Sequence, residues 1–318
     1  MNAISKQRKN WQSRSLALLT LAGIALAMSW TTPLHAQALG WEGETGVFVT
    51  PLAYTASSET QKFHPVVAYH FLDLGPVIGE LNEASIELGI GKRIELGYTH
   101  DFHTFGSNAA LSPLWQNGFD IFNGKVNLVP ENYRKTKWVP AISTGFIARP
   151  NVRNVGNFVE QSSNNPATVG GKADADFYVV ATKVVPTKHV PIVLNAGVRE
   201  TDAELWGLGG NAPDWQARAF GAVAFVVKLP GKSTLILASE AAQQPHHPYY
   251  FDGTVHGVPA LNIPTTLTYA ARFVPTSKYK LNFDFGVAQI AGYVYGSGAS
   301  GINLQARHQV GVQMSYGF

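Results

Sequence analysis

The stretch Val310-Gly311-Val312-Gln313-Met314-Ser315-Tyr316-Gly317-Phe318 decides the fold. Val310, Val312, Met314, Tyr316 and Phe318 are apolar at every second position, and the residues between them are Gly or small and polar. A period of two is that of a β-strand with one greasy and one wet face. An exposed apolar strand is an aggregation hazard in water. In a bilayer the same strand is stable if it closes a barrel and leaves no edge unpaired. The expectation is therefore a closing strand that turns its apolar face to lipid; the last strand of a soluble sandwich is the weaker alternative.

Working back along the chain, the same alternation recurs. Ile86, Leu88 and Ile90 share a face with Ile94, Leu96 and Tyr98, whereas Glu87, Gly89, Glu95, Gly97 and Thr99 share the other. A two-residue loop would set Leu88 against Glu95; three loop residues, Gly91-Lys92-Arg93, keep like with like. Leu267, Tyr269, Ala271 and Phe273 alternate with Thr266, Thr268, Ala270 and Arg272, and Phe283, Phe285 and Val287 with Asn282, Asp284 and Gly286. Ile192 to Arg199 follows the rule, Phe177 to Val185 reads in either phase, and Phe220 to Val227 is nearly all apolar.

Tight turns at Pro130 to Lys135, Pro186 to Val190, Pro230 to Lys232 and Pro275 to Lys278 alternate with long polar stretches. The long ones are 105–117, 149–173, 201–215, 243–263 and 291–304. This rhythm predicts an all-β, antiparallel transmembrane β-barrel with short periplasmic turns and long extracellular loops. Aromatic residues near strand ends, among them Tyr98, Phe102, Trp138, Tyr279 and Tyr316, suit interfacial girdles. Counting back from Phe318 gives about 12 strands over 62–318, or 14 if a strand is hidden, a size known for such barrels. Residues 39–61, rich in Gly, fit either a lumenal insert or a first strand.

The first 38 residues read as a secretory signal peptide. Lys6, Arg8, Lys9 and Arg14 precede the apolar run Leu16 to Met28, and Ala36-Gln37-Ala38 offers a cleavage site. The mature chain is expected to begin near Leu39 and to sit in the outer membrane of a Gram-negative bacterium. Four of the 24 basic residues lie in the leader, which leaves 20 against 21 acidic ones. No basic footprint for nucleic acid remains. The absence of Cys excludes disulfides and thiol chemistry.

The inward phase nominates Glu87, Glu95, Asp101, Arg199, Arg218, Arg272 and Asp284 as lumen-lining groups. Opposed acidic and basic rows across a pore would set up a transverse field that selects small polar solutes; paired with one another, they would instead fill a closed lumen. Three enzyme readings carry less weight. Asp101 and His103 share a phase near a strand end, as an outer-membrane protease would need, and His100 points outward, as in a lipid hydrolase, but no Ser stands beside it. His246, His247 and His256 lie in one long stretch without clean metal-ligand spacing. No catalytic residue, metal or cofactor is expected.

Two resemblances add to this. The C-terminal nonapeptide resembles the assembly signal of Gram-negative outer-membrane barrels, with Val310, Val312, Met314, Tyr316 and Phe318 as the positions read. Residues Gly40-Trp41-Glu42-Gly43-Glu44-Thr45-Gly46 through Pro51-Leu52-Ala53 resemble the G-x-E-G-x-x-G-x-x-x-x-P-x-A opening of a family of uncharacterised proteobacterial outer-membrane proteins. Gly91, Arg93, Ile94, Glu95, Leu96, Phe102 and Thr104 match a second family segment, and Asp176-Phe177-Tyr178 with Ala181-Thr182-Lys183 a third. The chain is also similar in size to outer-membrane channels of phenol and hydrocarbon pathways. The resemblance implies a barrel and a location, and no activity. The function expected is a channel or binding protein for small solutes, amphipathic or aromatic ones included; a closed structural or surface-interaction barrel is the alternative. Expected partners are outer-membrane lipid and lipopolysaccharide, the barrel-assembly machinery and the small solute itself.

Overall fold

The computed structural model describes residues 39–56, 63–107, 118–152, 173–251, 254–259, 262–275, 280–294 and 302–318. Residues 1–38, Tyr279 and most of the stretches 105–117 and 149–173 lie outside the described residues. Twelve antiparallel strands close into a barrel. Along the chain the strands are β1 (Phe63–Asp73), β2 (Gly79–Ile90), β3 (Ile94–Phe105), β4 (Phe119–Val129), β5 (Ala141–Arg149), β6 (Asp174–Val185), β7 (Ile192–Leu205), β8 (Gly209–Lys228) and β9 (Thr234–Ala242). They continue with β10 (Pro248–Phe251), β11 (Thr254–Pro259), β12 (Thr266–Val274), β13 (Leu281–Gln289), β14 (Ala291–Val294), β15 (Ile302–Ala306) and β16 (Gln309–Gly317). The pairs β10–β11 and β14–β15 are hairpins outside the barrel sheet, and one helical turn, α1 (Gly75–Ile78), joins β1 to β2.

Closure is made by β16, which pairs with β13 on one side and β1 on the other, with Tyr316 opposite both Leu281 and Val67. Every described ladder of the wall is thereby satisfied, the condition for crossing hydrocarbon with strands. Val310, Val312, Met314, Tyr316 and Phe318 face outward and are exposed, while Gln309, Gln313 and Ser315 face inward and are buried. Leu96, Tyr98, Phe122, Val179, Phe225, Tyr269 and Phe285 extend this apolar outer surface around the wall. The β2–β3 hairpin has the expected register: Ile90 pairs with Ile94 and Leu88 with Leu96, with Gly91 and Lys92 at positive φ in the three-residue loop. In β6, Asp176, Tyr178, Val180 and Thr182 point inward and Phe177 and Val179 outward, which settles the ambiguous phase.

One expectation is corrected. Residues 201–215 are not a polar loop: β7 and β8 run on as a hairpin, with Ala203 opposite Asn211, and turn only at Trp206 to Leu208.

Candidate functional site

The lumen is filled by residues 39–56. This segment has no strand of its own. It folds into a compact knot through Gly40 N to Glu44 O, Trp41 N to Phe48 O and Leu52 N to Thr45 O, at 2.6, 2.8 and 3.0 Å. Its glycines permit that shape. Gly43 has φ +88°, and a Cβ there would collide with Oγ1 of Thr99 on the inner wall. Most of the segment is fully buried. Its two ends, Leu39 and Ala56, pack together with Val66 and Ala68 of β1. The two ends of the described segment thus lie side by side against β1.

Wall side chains hold the segment around its whole circumference. Glu42 lies between two arginines: Arg199 donates to its carboxylate from Nη1 at 2.8 Å and from Nη2 at 2.9 Å, and Arg149 Nη2 also contacts it. Arg149 pairs further with Asp174 at 2.5 Å and Asp176 at 2.8 Å. All five groups are fully buried at their side chains. On the β3–β4 wall, Glu95 accepts from Thr45 N at 3.1 Å, Thr45 Oγ1 at 2.7 Å and Ala56 N at 2.8 Å, and pairs with Lys125 at 2.5 Å. Lys125 also donates to the carbonyls of Thr45 and Tyr54 at 2.9 and 3.0 Å.

On the β9 side, Glu240 takes hydrogen bonds from the backbone amides of Phe48, Val49 and Thr50, the last at 2.8 Å, and from Thr50 Oγ1 at 2.6 Å. Three converging amides form a small anion nest, a geometry that suits a carboxylate. Arg272 bridges Asp284, at 2.8 and 2.9 Å, to the carbonyls of Gly46 and Val47 at 3.2 and 2.5 Å. Near the segment's exit, Ala53 N donates to Thr182 Oγ1 at 2.7 Å, and Ala53 O accepts from Ser143 Oγ at 2.6 Å and from Asn127 Nδ2 at 2.9 Å.

Above the knot the interior turns apolar. Trp41 and Phe48 from the segment meet Leu72, Leu74, Trp206 and Ile263 of the wall and its extensions around a cavity of about 50 Å³. Trp41 Nε1 donates to Gly207 O at 2.9 Å, and the Arg199 guanidinium stacks over Trp206 at 4.4 Å.

Of the nominated lumen residues, Glu87, Glu95, Asp101, Arg199 and Asp284 are buried in the interior and Arg272 is half-buried there. Glu95, Arg199, Arg272 and Asp284 belong to the clamp on residues 39–56; Glu87 and Asp101 do not. Arg218 lies opposite Arg199 in register but turns to Gln244 O at 2.9 Å and to Gln216. The expectation missed Glu42, Glu44, Lys125, Arg149, Asp174, Asp176 and Glu240. For Asp174 and Asp176 the signal was present: once Tyr178 is placed inward, they follow at intervals of two.

The enzyme-like groups take other partners. His100 Nδ1 lies 2.8 Å from Asp120 on the outer surface, beside Tyr98 and Phe102. His103 Nε2 lies 2.9 Å from Ile78 O. His247 sits between Asp214 and Ala203 O, each 2.9 Å away, and His246 lies 2.8 Å from Ile263 O. Among the described residues no group of three His, Asp or Glu is placed to hold a metal ion.

A closed 12-stranded barrel with an apolar exterior and a lumen occupied by its own N-terminal segment defines a transmembrane β-barrel of the plugged kind. Residues 38–249 match the family described as "Protein of unknown function (DUF3034)", and the chain belongs to that family. Comparison with curated proteins gives no match. Among solved structures, the chain is similar to the COG4313 outer membrane channel from Pseudomonas putida F1, at 11% identity and TM-score 0.46 over 82% of this chain and 97% of that one. It is also similar to the NanC porin, at 8% identity and TM-score 0.41 over 80% and 97%. A third is the translocator domain of the autotransporter NalP from Neisseria meningitidis, at 11% identity and TM-score 0.37 over 82% and 90%. These likenesses concern barrel architecture alone.

Proposed function

We propose that the protein is an outer-membrane barrel that binds and passes small solutes, amphipathic or aromatic ones included, with residues 39–56 as its gate. One observation carries the reading: the lumen is filled by a short segment whose two ends lie together and which contributes no strand to the wall. Such a segment can withdraw without breaking a β-ladder. Its attachments are side-chain hydrogen bonds and ion pairs. Each hydrogen bond to a charged group contributes about 1.5–3 kcal/mol, so a ligand or a field reaches one clamp at a time and displaces the segment in steps. The apolar chamber around Trp41 and Trp206 supports an amphipathic solute over a wholly polar one. The signal-like leader and the C-terminal strand support placement in the outer membrane.

A closed structural barrel is the second reading, favoured by the fully buried Glu42–Arg149–Arg199 network. Planar-bilayer recording of the mature chain separates the two. Discrete conductance steps that become longer when Glu240 and Glu95 no longer hold the segment support the gated channel. Silence of both the native chain and the E95Q/E240Q variant, with folding intact, rejects it.

A further inference from the structure

The barrel is polarised in charge along its axis. Strands alternate in direction around the wall, so the turns β2–β3, β4–β5, β6–β7, β8–β9 and β12–β13 all lie at one end. The β4–β5 turn carries Arg134, Lys135 and Lys137; Lys92, Arg93, Lys188, Lys232 and Lys280 stand in the other four. All but Lys280 are exposed. Among the described residues of these turns Glu131 is the one acid, and Lys183 neutralises it at 2.7 Å. The exposed acids Glu80 and Glu200 stand toward the opposite ends of β2 and β7.

This basic rim borders the lipid-facing surface. Arg93 adjoins exposed Ile94, Lys188 follows exposed Val185 by three positions, and Lys280 precedes exposed Phe283 by three. The β4–β5 turn adds an aromatic tip. It is closed by Asn132 N to Val139 O at 3.0 Å and Thr136 N to Tyr133 O at 3.1 Å, with Asn132, Arg134 and Lys135 at positive φ. Trp138 is 77% exposed, more than any other large apolar side chain described, and Arg134 lies over the Tyr133 ring at 5.3 Å. Exposed Trp and Tyr at the edge of a lipid-facing wall suit the boundary where acyl chains meet head groups. Lys and Arg there lay their alkyl stems along apolar surface and hold the charge at the head groups. The cations are spread over all five hairpins rather than gathered in one patch. A surrounding ring of lipid requires that spread, and a single docked protein does not.

We infer that the short-turn end of the barrel is a docking surface for anionic phospholipids, with their phosphates on the basic rim and Trp138 in the head-group layer. This rests on the barrel spanning a bilayer and is independent of what passes through the lumen. A basic residue near an anionic membrane surface strengthens binding roughly fivefold. The three cations of the β4–β5 turn alone therefore give a measurable preference.

The test uses the full mature chain in dodecyl maltoside, with retained lipids counted by native mass spectrometry. The probes are phosphatidylglycerol and phosphatidylcholine with the same acyl chains, and glycerol 3-phosphate as competitor. Phosphatidylglycerol should be held at least about tenfold more tightly than phosphatidylcholine, and that advantage should shrink as salt screens it. R134Q/K135Q/K137Q should cut the advantage several-fold, R307Q at the opposite end should leave it intact, and W138A should weaken both lipids alike. Each variant is checked for heat-modifiable migration. Equal retention of the two lipids, or a preference unchanged in the triple variant, overturns the inference. So does displacement of phosphatidylglycerol by equimolar glycerol 3-phosphate, which would make the rim a site for soluble anions. Salt-dependent binding of polyglutamate without any lipid preference also overturns it, and would assign the rim to an acidic polypeptide.

Discussion

Arg199, on β7, closes two charge-assisted hydrogen bonds at 2.8 and 2.9 Å on Glu42, a residue 157 positions earlier that belongs to no strand. The contact joins the wall of the barrel to what fills it. Arg149 reaches the same carboxylate from β5, so one acid contacts two buried guanidinium groups.

Removing that acid takes two hydrogen bonds from Arg199 and one contact from Arg149, leaving Arg199 with Asp176 and Arg149 with Asp174 and Asp176. Breaking a buried pair by deleting one partner costs about 3–5 kcal/mol. E42Q should therefore lower the thermal unfolding midpoint clearly, whereas substitution of exposed Glu200 on the same strand as Arg199 should not. Equal midpoints for E42Q and the native protein would show that the network contributes nothing to stability.

Glu87 and Glu95 are close in sequence and face the same interior but differ in partnership. Glu95 pairs with Lys125 at 2.5 Å and holds Thr45 and Ala56; neither oxygen of Glu87 has a hydrogen-bond partner. E95Q strands a buried ammonium and should destabilise by about 3–5 kcal/mol. E87Q replaces a carboxyl that makes no ion pair within 4 Å and should cost far less than E95Q. In an open pore, E87Q should also shift the reversal potential toward anions. Loss of stability in E87Q as large as in E95Q would refute the distinction.

Acid should tighten the gate. Burial pushes Glu44 up from the ordinary 4.5 to about 7, against the opposing pull of Lys125 and Arg199. The filled state then binds a proton that the withdrawn or unfolded state releases near pH 4.5. Its stabilising contribution is complete below that pH and is lost as pH rises through about 7. Protease cleavage within 39–56 should accordingly be faster at pH 8 than at pH 5, and E44Q should flatten that dependence. A cleavage rate that falls with rising pH, once corrected for the protease, would reverse the sign.

The outer face of β16 should matter for assembly. Tyr316 and Phe318 are exposed there and stack edge to face at 5.1 Å. A charge on the lipid face costs up to about 2–4 kcal/mol near the midplane and less at the interface. Deleting Phe318 should therefore impair assembly through the lost terminal signal more than Y316D does through charge. Heat-modifiable migration retained at native yield in both variants would argue against the signal.

The wall was legible in the sequence wherever one face meets lipid and the other does not. The β2–β3 register and the outward set on β16 follow from period two alone. The extension of β7 and β8 was hidden because Thr201, Asp202, Glu204 and Asp214 leave no continuous apolar face, so the strands read as a polar loop. Residues 39–56 were opaque for a deeper reason. They have no period, and their positions are dictated by partners on eight different strands. Glu42 and Glu240 look like ordinary surface acids until the barrel closes around them. Gly43 was readable as a residue permitting close packing, and the wall it approaches at Thr99 is what only the fold supplies.

The account turns on whether residues 39–56 gate the lumen, and a reversible lock tests this directly. The chain has no Cys, so an engineered pair stands alone. Ala53 N donates to Thr182 Oγ1 at 2.7 Å, which makes A53C/T182C a natural tether between the segment and β6. In planar bilayers, the oxidised variant should be silent, and reductant should restore the discrete steps of the native protein. Identical conductance before and after reduction, with the crosslink verified, would contradict the gate.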